Sequence, residues 1–449
     1  MKTVIMAGGF GTRLAKYIIE HTGQEFPKPM MPINGVPVLE REIIGLRDQG
    51  FKDIILTVSY QADIIMHYFG SGRRVGVHID YYKEDTPLGN AGALYKLKDA
   101  GKLSNDFLLL NADSVFDIDF SRIVQYHREH KALATLFTHP NSHPYDSGLI
   151  ITAQDGSNIV NKWLTKEDAR PQWYRNCVNA GLHVLNVEAL DKASKINSID
   201  VERIGTEDAE KGKFIKVDLD RQILKPLAGT GKMFSYQSPE YVKDMGTPER
   251  FESVLHDYRM GIVQAKNLRN HQKAIFLDRD GTINKYVGFL RNIEQFELLP
   301  GVAEAIKLIN ASGYLAIVVT NQPIIARGEV TIEQLNLIHS KMETLLGEQG
   351  AYVDGLYYCP HHPDRGFEGE VPELKIDCDC RKPKPGMLLR ASKDFNIDLK
   401  ASWMVGDDDR DVRTGINAGC RTGRIGTDSG ADVNGSSLLE VVKEILEEQ

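Results

Sequence analysis

Short, continuous runs of apolar residues alternate with helix-like amphipathic segments along most of the chain. The strand-like runs lie at residues 3–7, 54–58, 107–110, 274–277, 315–319 and 403–405. Apolar runs of this length, separated by helices, are typical of parallel strands that helices cover on both faces. The pattern therefore predicts an α/β protein with two Rossmann-like sheets. Ligands of such sheets bind beyond the carboxyl ends of the strands.

A polar stretch separates the two α/β patterns. It follows a helix-like segment at residues 248–258 and ends just before the strand-like run at 274–277. We predict a first domain over residues 1–262, a linker over residues 263–272 and a second domain over residues 273–449. A chain of 449 residues suits two to four domains of ordinary size.

Charge and composition exclude several classes of function. The formal net charge of −8 gives no basic field for non-specific nucleic-acid binding. No uncharged run approaches the ~18 residues of a membrane span, and the first residues reach glycines before a signal peptide could form. Three of the five cysteines lie close together, unlike a secreted disulfide framework. These features predict a cytoplasmic protein that acts on small molecules.

The first strand-like run leads into a glycine-rich segment, GGFGTRL, that begins at Gly8. Glycines let backbone N–H groups approach a phosphate closely, and Arg13 could bind phosphate oxygens bidentately. Leu14 stands where a dinucleotide-binding fingerprint needs its third glycine, and no P-loop pattern is present. The segment indicates a different kind of phosphate loop, although such turns are often only structural.

Further segments of the first half carry residues suited to phosphate chemistry. Prolines flank Lys28 and would hold it on a rigid segment. Asp113 and Asp244 follow strand-like runs, where two carboxylates could share a Mg²⁺ ion. Taken singly, each aspartate is more often a turn or cap residue. The segments in chain order are PKPM, LGNAGA, NAD and DMGTP.

Together these segments resemble the sugar-phosphate nucleotidyltransferases, which join a sugar 1-phosphate to an NTP. The resemblance implies a GT-A-like mixed sheet, Mg²⁺ held by Asp113 and Asp244, and Lys28 opposite the reacting phosphate. It places the nucleotide against Gly8, Gly9, Gly11, Arg13, Gly89 and Asn90. It places the sugar phosphate against Lys166, Asn179 and Gly181. Trp163 and Thr165 depart from the usual Phe and Glu before Lys166.

The second half predicts a phosphoryl-transfer site at the ends of its strands. Asp278 and Asp280 follow one strand-like run in the segment DRDGT, and Thr320 and Asp407 each follow another. Lys382 lies in RKPKPG. A carboxylate nucleophile, a carboxyl acid, a hydroxyl, an ammonium and a Mg²⁺ ligand are the groups that phosphate-ester hydrolysis through an aspartyl-phosphate needs.

This set resembles the haloacid dehalogenase superfamily of phosphatases, with its parallel sheet. The resemblance makes Asp278 the residue that becomes phosphorylated and Asp280 the general acid and base. Asp278, Asp407 and the backbone carbonyl of Asp280 would hold Mg²⁺, while Thr320 and Lys382 bind the phosphoryl group. About forty residues separate Asp280 from Thr320, too few for a large helical cap.

Three cysteines and a histidine of the second half form two close pairs. Cys359 and His361 make one pair, and Cys378 and Cys380 make the other. Such a set is a credible tetrahedral, structural Zn²⁺ site, with the adjacent His362 ranked below His361. The alternative is a group of free core thiols.

Within the superfamily, the second half is most similar to the D-glycero-D-manno-heptose 1,7-bisphosphate phosphatases. That similarity implies substrate contacts from Arg327 and Arg381. Pro323 and Ile324 depart from a usual Ser-Gly pair, and Asp408 departs from a usual lysine.

The two resemblances imply one bifunctional enzyme. It would dephosphorylate heptose 1,7-bisphosphate and attach GMP from GTP to the heptose 1-phosphate, supplying GDP-D-glycero-α-D-manno-heptose for lipopolysaccharide or capsule synthesis. Members of both families are often homo-oligomers. Three alternatives stay open: another sugar such as mannose 1-phosphate, a histidinol-phosphate-type phosphatase, and a first half that senses nucleotide sugars without catalysis.

Overall fold

A computed structural model describes residues 1–9, 12–23, 25–208, 212–426 and 430–448. These residues form two compact units. The first unit comprises Met1–Thr138, Ile150–Trp163 and Asn179–Asn267. The second comprises His139–Leu149, Leu164–Val178 and Leu268–Gln449. Two segments from the first half of the sequence thus group with the second unit. Among the described residues, no helix has the length and apolar character that crossing a bilayer requires.

The first unit is built on a mixed sheet with helices around it. Its strands are β1 Lys2–Met6, β2 Pro32–Ile33, β3 Val36–Pro37, β4 Asp53–Val58, β5 His78–Lys83, β6 Asp106–Asn111, β7 Ser114–Asp117, β8 Ala134–His139, β9 Leu149–Thr152, β10 Val160–Leu164, β11 Val178–Asn186, β12 Glu207–Asp208, β13 Lys213–Phe214, β14 Met233–Gln237 and β15 Tyr241–Asp244. Its helices are α1 Thr12–Thr22, α2 Val38–Asp48, α3 Ala62–Phe69, α4 Gly92–Asp99, α5 Phe120–Glu129, α6 Glu188–Asn197, α7 Pro248–Arg259 and α8 Ile262–Ala265.

The strand order of this sheet brings the predicted phosphate-binding segments to one edge. The order is β10-β9-β11-β6-β1-β4-β5, with β8 beside β11 and β14 beside β8. Strands β6, β1, β4 and β5 are mutually parallel, and β11 runs antiparallel to β6. A separate ribbon pairs β7 with β15, joining Ser114 to Asp244 in register. The carboxyl ends of β1 and β6 therefore lie together, and the ribbon brings Asp113 and Asp244 to the same place.

The second unit is a parallel sheet with helices on both faces. Its strands are β16 Lys273–Leu277, β17 Tyr314–Asn321, β18 Gly355–Cys359, β19 Trp403–Gly406, β20 Arg421–Ile425 and β21 Val433–Gly435, in the order β18-β17-β16-β19-β20-β21. Its helices are α9 Val302–Asn310, α10 Ile332–Glu348, α11 Gly386–Phe395, α12 Asp409–Ala418 and α13 Leu438–Glu447.

The side chains of β16 alternate between two cores. Ile275 and Leu277 pack with residues of α9, α10 and α13 on one face, whereas Ala274 and Phe276 pack with residues of α11 on the other. Because successive side chains point to opposite faces and both faces are covered, every residue of the apolar run is buried. This explains why the strand is a continuous apolar run in the sequence. The structure describes every residue of the segment between β16 and β17. In this segment α9 is the only helix longer than one turn. The predicted α/β fold class without a large cap is confirmed.

Gly415 in α12 permits the close approach of this helix to the sheet. A Cβ atom there would lie 2.6 Å from Cγ2 of Thr422 and 2.9 Å from Cβ of Met404. We expect Gly415→Ala to lower the stability of the second unit by about 1–2 kcal/mol, because overpacking outweighs the gain in helix propensity. Thermal unfolding measures the effect.

Gly45 in α2 is the matched control, because a Cβ atom there meets nothing within 4 Å in the part of the chain that the structure describes. Gly45→Ala should leave stability unchanged or raise it by up to about 1 kcal/mol. An unfolding temperature of Gly415→Ala at or above that of the unsubstituted protein would contradict the packing described here.

Candidate active sites

Three carboxylates converge at the carboxyl edge of the parallel sheet in the second unit. Asp278 follows β16 and Asp407 follows β19, and these strands are direct neighbours with Leu277 opposite Val405. Asp411 lies in the first turn of α12. One oxygen from each of the three aspartates lies within 4.8 Å of the others. The arrangement could hold a divalent cation with oxygen ligands.

Lys382 lies between two of these carboxylates. Its Nζ is 2.7 Å from Oδ1 of Asp278 and 2.6 Å from Oδ1 of Asp411, and the lysine is only 4% exposed. Asn321, at the end of β17, fixes the lysine backbone by accepting a hydrogen bond from its N–H and donating one to its carbonyl. The ammonium group is therefore held rigidly beside Asp278.

The charges of this cluster do not balance. Three carboxylates face one ammonium group within the cluster. Burial and then the charge of Asp411 raise the pKa of Asp278 to about 7, despite the opposing effect of Lys382. Burial and Asp411 also raise the pKa of Asp407. Excess negative charge in a buried oxygen-rich site is the condition that favours a cation such as Mg²⁺.

Gly281 lets the loop after β16 close onto this cluster. A Cβ atom on Gly281, whose φ is +91°, would lie 2.1 Å from Oδ2 of Asp407. A larger residue would therefore displace the carboxylate. The glycine of the DRDGT segment is required by the backbone's approach to the candidate metal ligand.

Asp280 is held by a separate set of donors. Arg279 donates to both of its carboxylate oxygens, Asn284 donates to Oδ1, and Gln322 donates to Oδ2 at 2.9 Å. Burial alone would raise the pKa of Asp280, but the Arg279 charge and these hydrogen bonds outweigh it and lower the pKa. Gln322 also donates to Oγ1 of the buried Thr320 at 2.8 Å.

Arg327 is fixed between two aromatic rings. Its guanidinium carbon lies 4.5 Å from the ring centres of both Phe289 and Phe367, and it also contacts Nε2 of His362 at 3.2 Å. Arg381 donates to the carbonyl oxygen of His361. Both arginines thus have defined positions rather than extended surface conformations.

Two of the residues that depart from the family pattern, Ile324 and Asp408, have local structural roles. Ile324 is buried in a small apolar cluster with Ile325, Val330 and Leu335. Asp408 caps α12 and pairs with Arg410, whose hydrogen bond is the largest influence lowering the pKa of Asp408 to about 2. The extra negative charge at position 408 is therefore compensated locally.

Cys359, His361, Cys378 and Cys380 bring their ligand atoms within 4.8 Å of one another. The sulfur atoms of Cys378 and Cys380 are 3.2 Å apart, and Nδ1 of His361 is 3.3 Å from the sulfur of Cys380. A tetrahedral metal with bonds of about 2.0–2.3 Å requires ligand separations only slightly larger. This cluster could bind a metal, and His362 instead contacts Arg327.

In the first unit, a buried lysine again lies between two carboxylates. Nζ of Lys28 is 3.2 Å from Oδ2 of Asp113 and 3.5 Å from Oδ1 of Asp244, and the lysine is 6% exposed. Asp244 also pairs with Arg250. Glu42 is buried nearby, and burial and then Asp113 raise its pKa well above the usual value. The predicted trio of Lys28, Asp113 and Asp244 is thus brought together.

Close backbone approaches fix the predicted nucleotide and sugar segments of this unit. A Cβ atom on Gly89 would lie 2.4 Å from the carbonyl oxygen of Val217, and Asn90 accepts a hydrogen bond from the backbone N–H of Leu219. A Cβ atom on Gly181 would meet Nδ2 of Asn111 at 2.7 Å.

The remaining predicted residues of the first half fall in different places. Gly8 adjoins Ser59, and a Cβ atom on Gly9 would meet no described residue within 4 Å. Asn179 belongs to the first unit, whereas Lys166 groups with the second and pairs with Asp146. Gly11 and the side chain of Arg13 lie outside the described residues.

Sequence reasoning did not single out Asp411, Gln322 or Arg279. Asp411 had a usable signal, because it lies four residues after Asp407 at the start of a helix that follows a strand. Gln322 lies two residues after Thr320, but no spacing rule indicates that its amide would reach Asp280. Arg279 lies between the two catalytic candidates and is completely buried.

Comparison with known proteins identifies the families of both halves of the chain. The Nucleotidyl transferase family matches residues 2–259, and the HAD-hydrolase-like family matches residues 379–436. The D-glycero-beta-D-manno-heptose-1,7-bisphosphate 7-phosphatase of Pasteurella multocida (strain Pm70) is 48% identical over 147 residues, 33% of this chain and 77% of that protein. The protein of the same name from Salmonella typhi is 41% identical over 185 residues, 39% of this chain and 96% of its own. The crystal structure of HddC from Yersinia pseudotuberculosis is 24% identical, covers 57% of this chain and 99% of its own, and gives a TM-score of 0.43.

The protein is a bifunctional enzyme that combines a nucleotidyltransferase with a haloacid dehalogenase-type phosphatase. The resemblances predicted from the sequence are confirmed. The chain belongs to the nucleotidyl transferase family and, through its C-terminal part, to the family of D-glycero-beta-D-manno-heptose-1,7-bisphosphate 7-phosphatases.

Asp411 provides a test of the carboxylate cluster. Asp411→Asn removes one of three negative charges facing the cation site. We expect the Mg²⁺ concentration for half-maximal phosphatase activity to rise about tenfold or more. Asp409→Asn is the control, because Asp409 is 67% exposed and pairs with Arg424. An unchanged Mg²⁺ dependence in Asp411→Asn would exclude Asp411 from the metal site.

Proposed function

We propose that this enzyme removes the 7-phosphate of D-glycero-D-manno-heptose 1,7-bisphosphate and then joins the resulting heptose 1-phosphate to GMP from GTP. One observation supports this proposal most strongly. The same chain contains a nucleotidyl transferase region and a region that is 48% identical to a heptose-1,7-bisphosphate 7-phosphatase. The product of such a phosphatase is a sugar 1-phosphate, which is the acceptor that a sugar-phosphate nucleotidyltransferase uses. GTP, rather than another NTP, rests on the family resemblance of the first half.

The phosphatase reaction would proceed in two steps. A carboxylate oxygen of Asp278 attacks phosphorus, forming an aspartyl-phosphate while the bond from phosphorus to the sugar oxygen breaks. Asp280 gives its proton to the leaving sugar alkoxide, then takes a proton from the water that hydrolyses the aspartyl-phosphate. The lowered pKa of Asp280 describes the enzyme without substrate. A dianionic phosphate nearby would favour its protonated form.

The other residues of this site would orient the substrate and neutralise the charge of its phosphate. Lys382 and the Thr320 hydroxyl would bind the oxygens of the transferring phosphoryl group. Asp278, Asp407, Asp411 and the Asp280 carbonyl would hold Mg²⁺, which supplies positive charge against the phosphate when bound. Arg327 and Arg381 would contact the remainder of the substrate. The excess of carboxylates over ammonium groups supports this assignment of a cation.

The transferase reaction is an in-line displacement. An oxygen of the sugar phosphate attacks the α-phosphorus of the NTP, and pyrophosphate leaves. The nucleophile is already anionic, so positioning and charge neutralisation dominate. Lys28 would face the reacting phosphate, while Asp113 and Asp244 would hold Mg²⁺. The nucleotide would lie against the glycine loop with Arg13 and against Gly89 and Asn90. The sugar phosphate would lie against Asn179 and Gly181, which belong to the same unit.

The two activities are separable by substitution. With heptose 1,7-bisphosphate, Mg²⁺ and each NTP in turn, phosphorus NMR should show inorganic phosphate in every sample. Pyrophosphate and a GDP-sugar should appear only when GTP is present. Asp278→Asn should abolish phosphate release yet still convert heptose 1-phosphate. Asp113→Asn should stop at heptose 1-phosphate. The assay uses both anomers of the heptose bisphosphate, because the related phosphatases are named for the beta anomer.

Two outcomes would contradict this assignment. Phosphate release without any nucleotide sugar from any NTP would remove the heptose transferase activity. Nucleotide-sugar formation by Asp113→Asn at the normal rate would exclude Asp113 from the metal site.

The cysteine cluster is proposed as a structural Zn²⁺ site formed by Cys359, His361, Cys378 and Cys380. We expect about one zinc per chain by elemental analysis, with Cys378→Ser lowering both zinc content and thermal stability. Cys420→Ser is the control for zinc content, because Cys420 is not one of the four residues whose ligand atoms converge. A Cys378→Ser protein with full zinc content would overturn this site.

A further inference from the structure

Arg279 uses different nitrogens for two different partners. Its Nη2 lies 2.9 Å from Oδ1 and 2.8 Å from Oδ2 of Asp280, and its Nε lies 3.2 Å from Oδ1. Its Nη1 lies 3.1 Å from Nε2 of His339 in α10. Arg279 and His339 are both 0% exposed. A completely buried guanidinium is thus held between the candidate general acid and one histidine.

This contact fixes the chemical form of His339. An arginine can only donate hydrogen bonds, so Nε2 of His339 must accept one and the ring must carry its proton on Nδ1. Nδ1 has no hydrogen-bond partner among the described residues. Burial, followed by the charges of Arg279 and Arg175, lowers the pKa of His339 well below its usual value. The histidine is therefore a neutral acceptor, and Tyr358 is its aromatic neighbour.

We infer that His339 is a positioning residue for the phosphatase reaction: by accepting from Nη1 of Arg279, it sets the plane of the guanidinium and hence the position of Asp280. This inference rests on the proposed role of Asp280 as the general acid. A guanidinium without this acceptor would leave a buried N–H unsatisfied and would rotate or shift to satisfy it. Because Arg279 binds Asp280 through a planar two-oxygen contact, such a rotation would move the carboxyl group.

Helix α10 is a rigid support for this histidine. A capping box between Thr331 and Gln334 defines where the helix begins. One turn beyond His339, Glu343 accepts hydrogen bonds from Nε of Arg175 at 2.6 Å and from the backbone N–H of Asn176 at 2.6 Å, all within the second unit. The helix is thus fixed on both sides of residue 339.

If His339 positions Asp280, the loss of kcat/KM in His339→Leu should depend on the leaving group of the substrate. General-acid assistance matters for a sugar alkoxide, which is a poor leaving group, and matters little for p-nitrophenolate, which leaves without a proton. The ratio kcat/KM reports only the steps up to departure of the leaving group. His339→Leu should lower kcat/KM about tenfold or more for heptose 1,7-bisphosphate but less than about threefold for p-nitrophenyl phosphate.

Two further variants separate positioning from loss of folding. His339→Gln keeps an acceptor and should recover most of the activity on the sugar phosphate. Arg279→Lys keeps the charge but loses the two-oxygen contact, and should reproduce the selective loss. Met342→Ala, in the core of the same helix, should lower stability without changing the ratio between the two substrates.

Asp280→Asn distinguishes this inference from the assignment on which it rests. A selective loss on the sugar phosphate in Asp280→Asn, together with an equal loss on both substrates in His339→Leu, would overturn the role of His339 alone. No selective loss in Asp280→Asn would remove the general-acid role of Asp280 itself.

Discussion

Each unit depends on a buried lysine that holds two carboxylates together. Lys28 bridges Asp113 and Asp244 in the first unit, and Lys382 bridges Asp278 and Asp411 in the second. Carboxylates brought this close repel one another, and burial strengthens that repulsion. In the second unit, where both carboxylates are largely buried, removing one partner of the charge pair costs about 3–5 kcal/mol, so Lys382 is needed for the geometry as well as for the chemistry.

The same arrangement suits phosphate chemistry. The lysines stabilise the carboxylates before any ligand arrives, and they present a positive charge where a phosphate would bind. A bound cation would neutralise the carboxylates and leave the ammonium group available for the phosphate. The two units would therefore apply one electrostatic arrangement to the two proposed reactions, hydrolysis through an aspartyl-phosphate and displacement at an α-phosphorus.

Strand periodicity explains how much of this could be predicted from the sequence. Asp278 and Asp407 follow apolar runs that pair as neighbouring parallel strands, so their convergence was predictable from the fold class. Lys28 and Asp244 are 216 residues apart, and only the family motifs indicated that they meet. The cysteine cluster was predictable because its four ligands form two pairs that are each close in sequence. A single contact between the two loops brings all four together.

Side-chain contacts across elements were not predictable. His339 reaches Arg279 across 60 residues, from the middle of a helix with no unusual composition. The grouping of His139–Leu149 and Leu164–Val178 with the second unit depends on contacts such as that of Arg175 with Glu343, and no motif indicates them. Hydrophobic periodicity predicts which face of an element is buried, but not which polar side chains meet there.

The carboxylates beside each lysine are proposed to form a cation site. Anomalous diffraction from crystals grown with Mn²⁺ in place of Mg²⁺, together with GTP and phosphate, tests this proposal directly. We expect manganese peaks within coordination distance of Asp113 and Asp244 in the first unit, and of Asp278 and Asp407 in the second. Ordered GTP and phosphate without manganese at these carboxylates would contradict it.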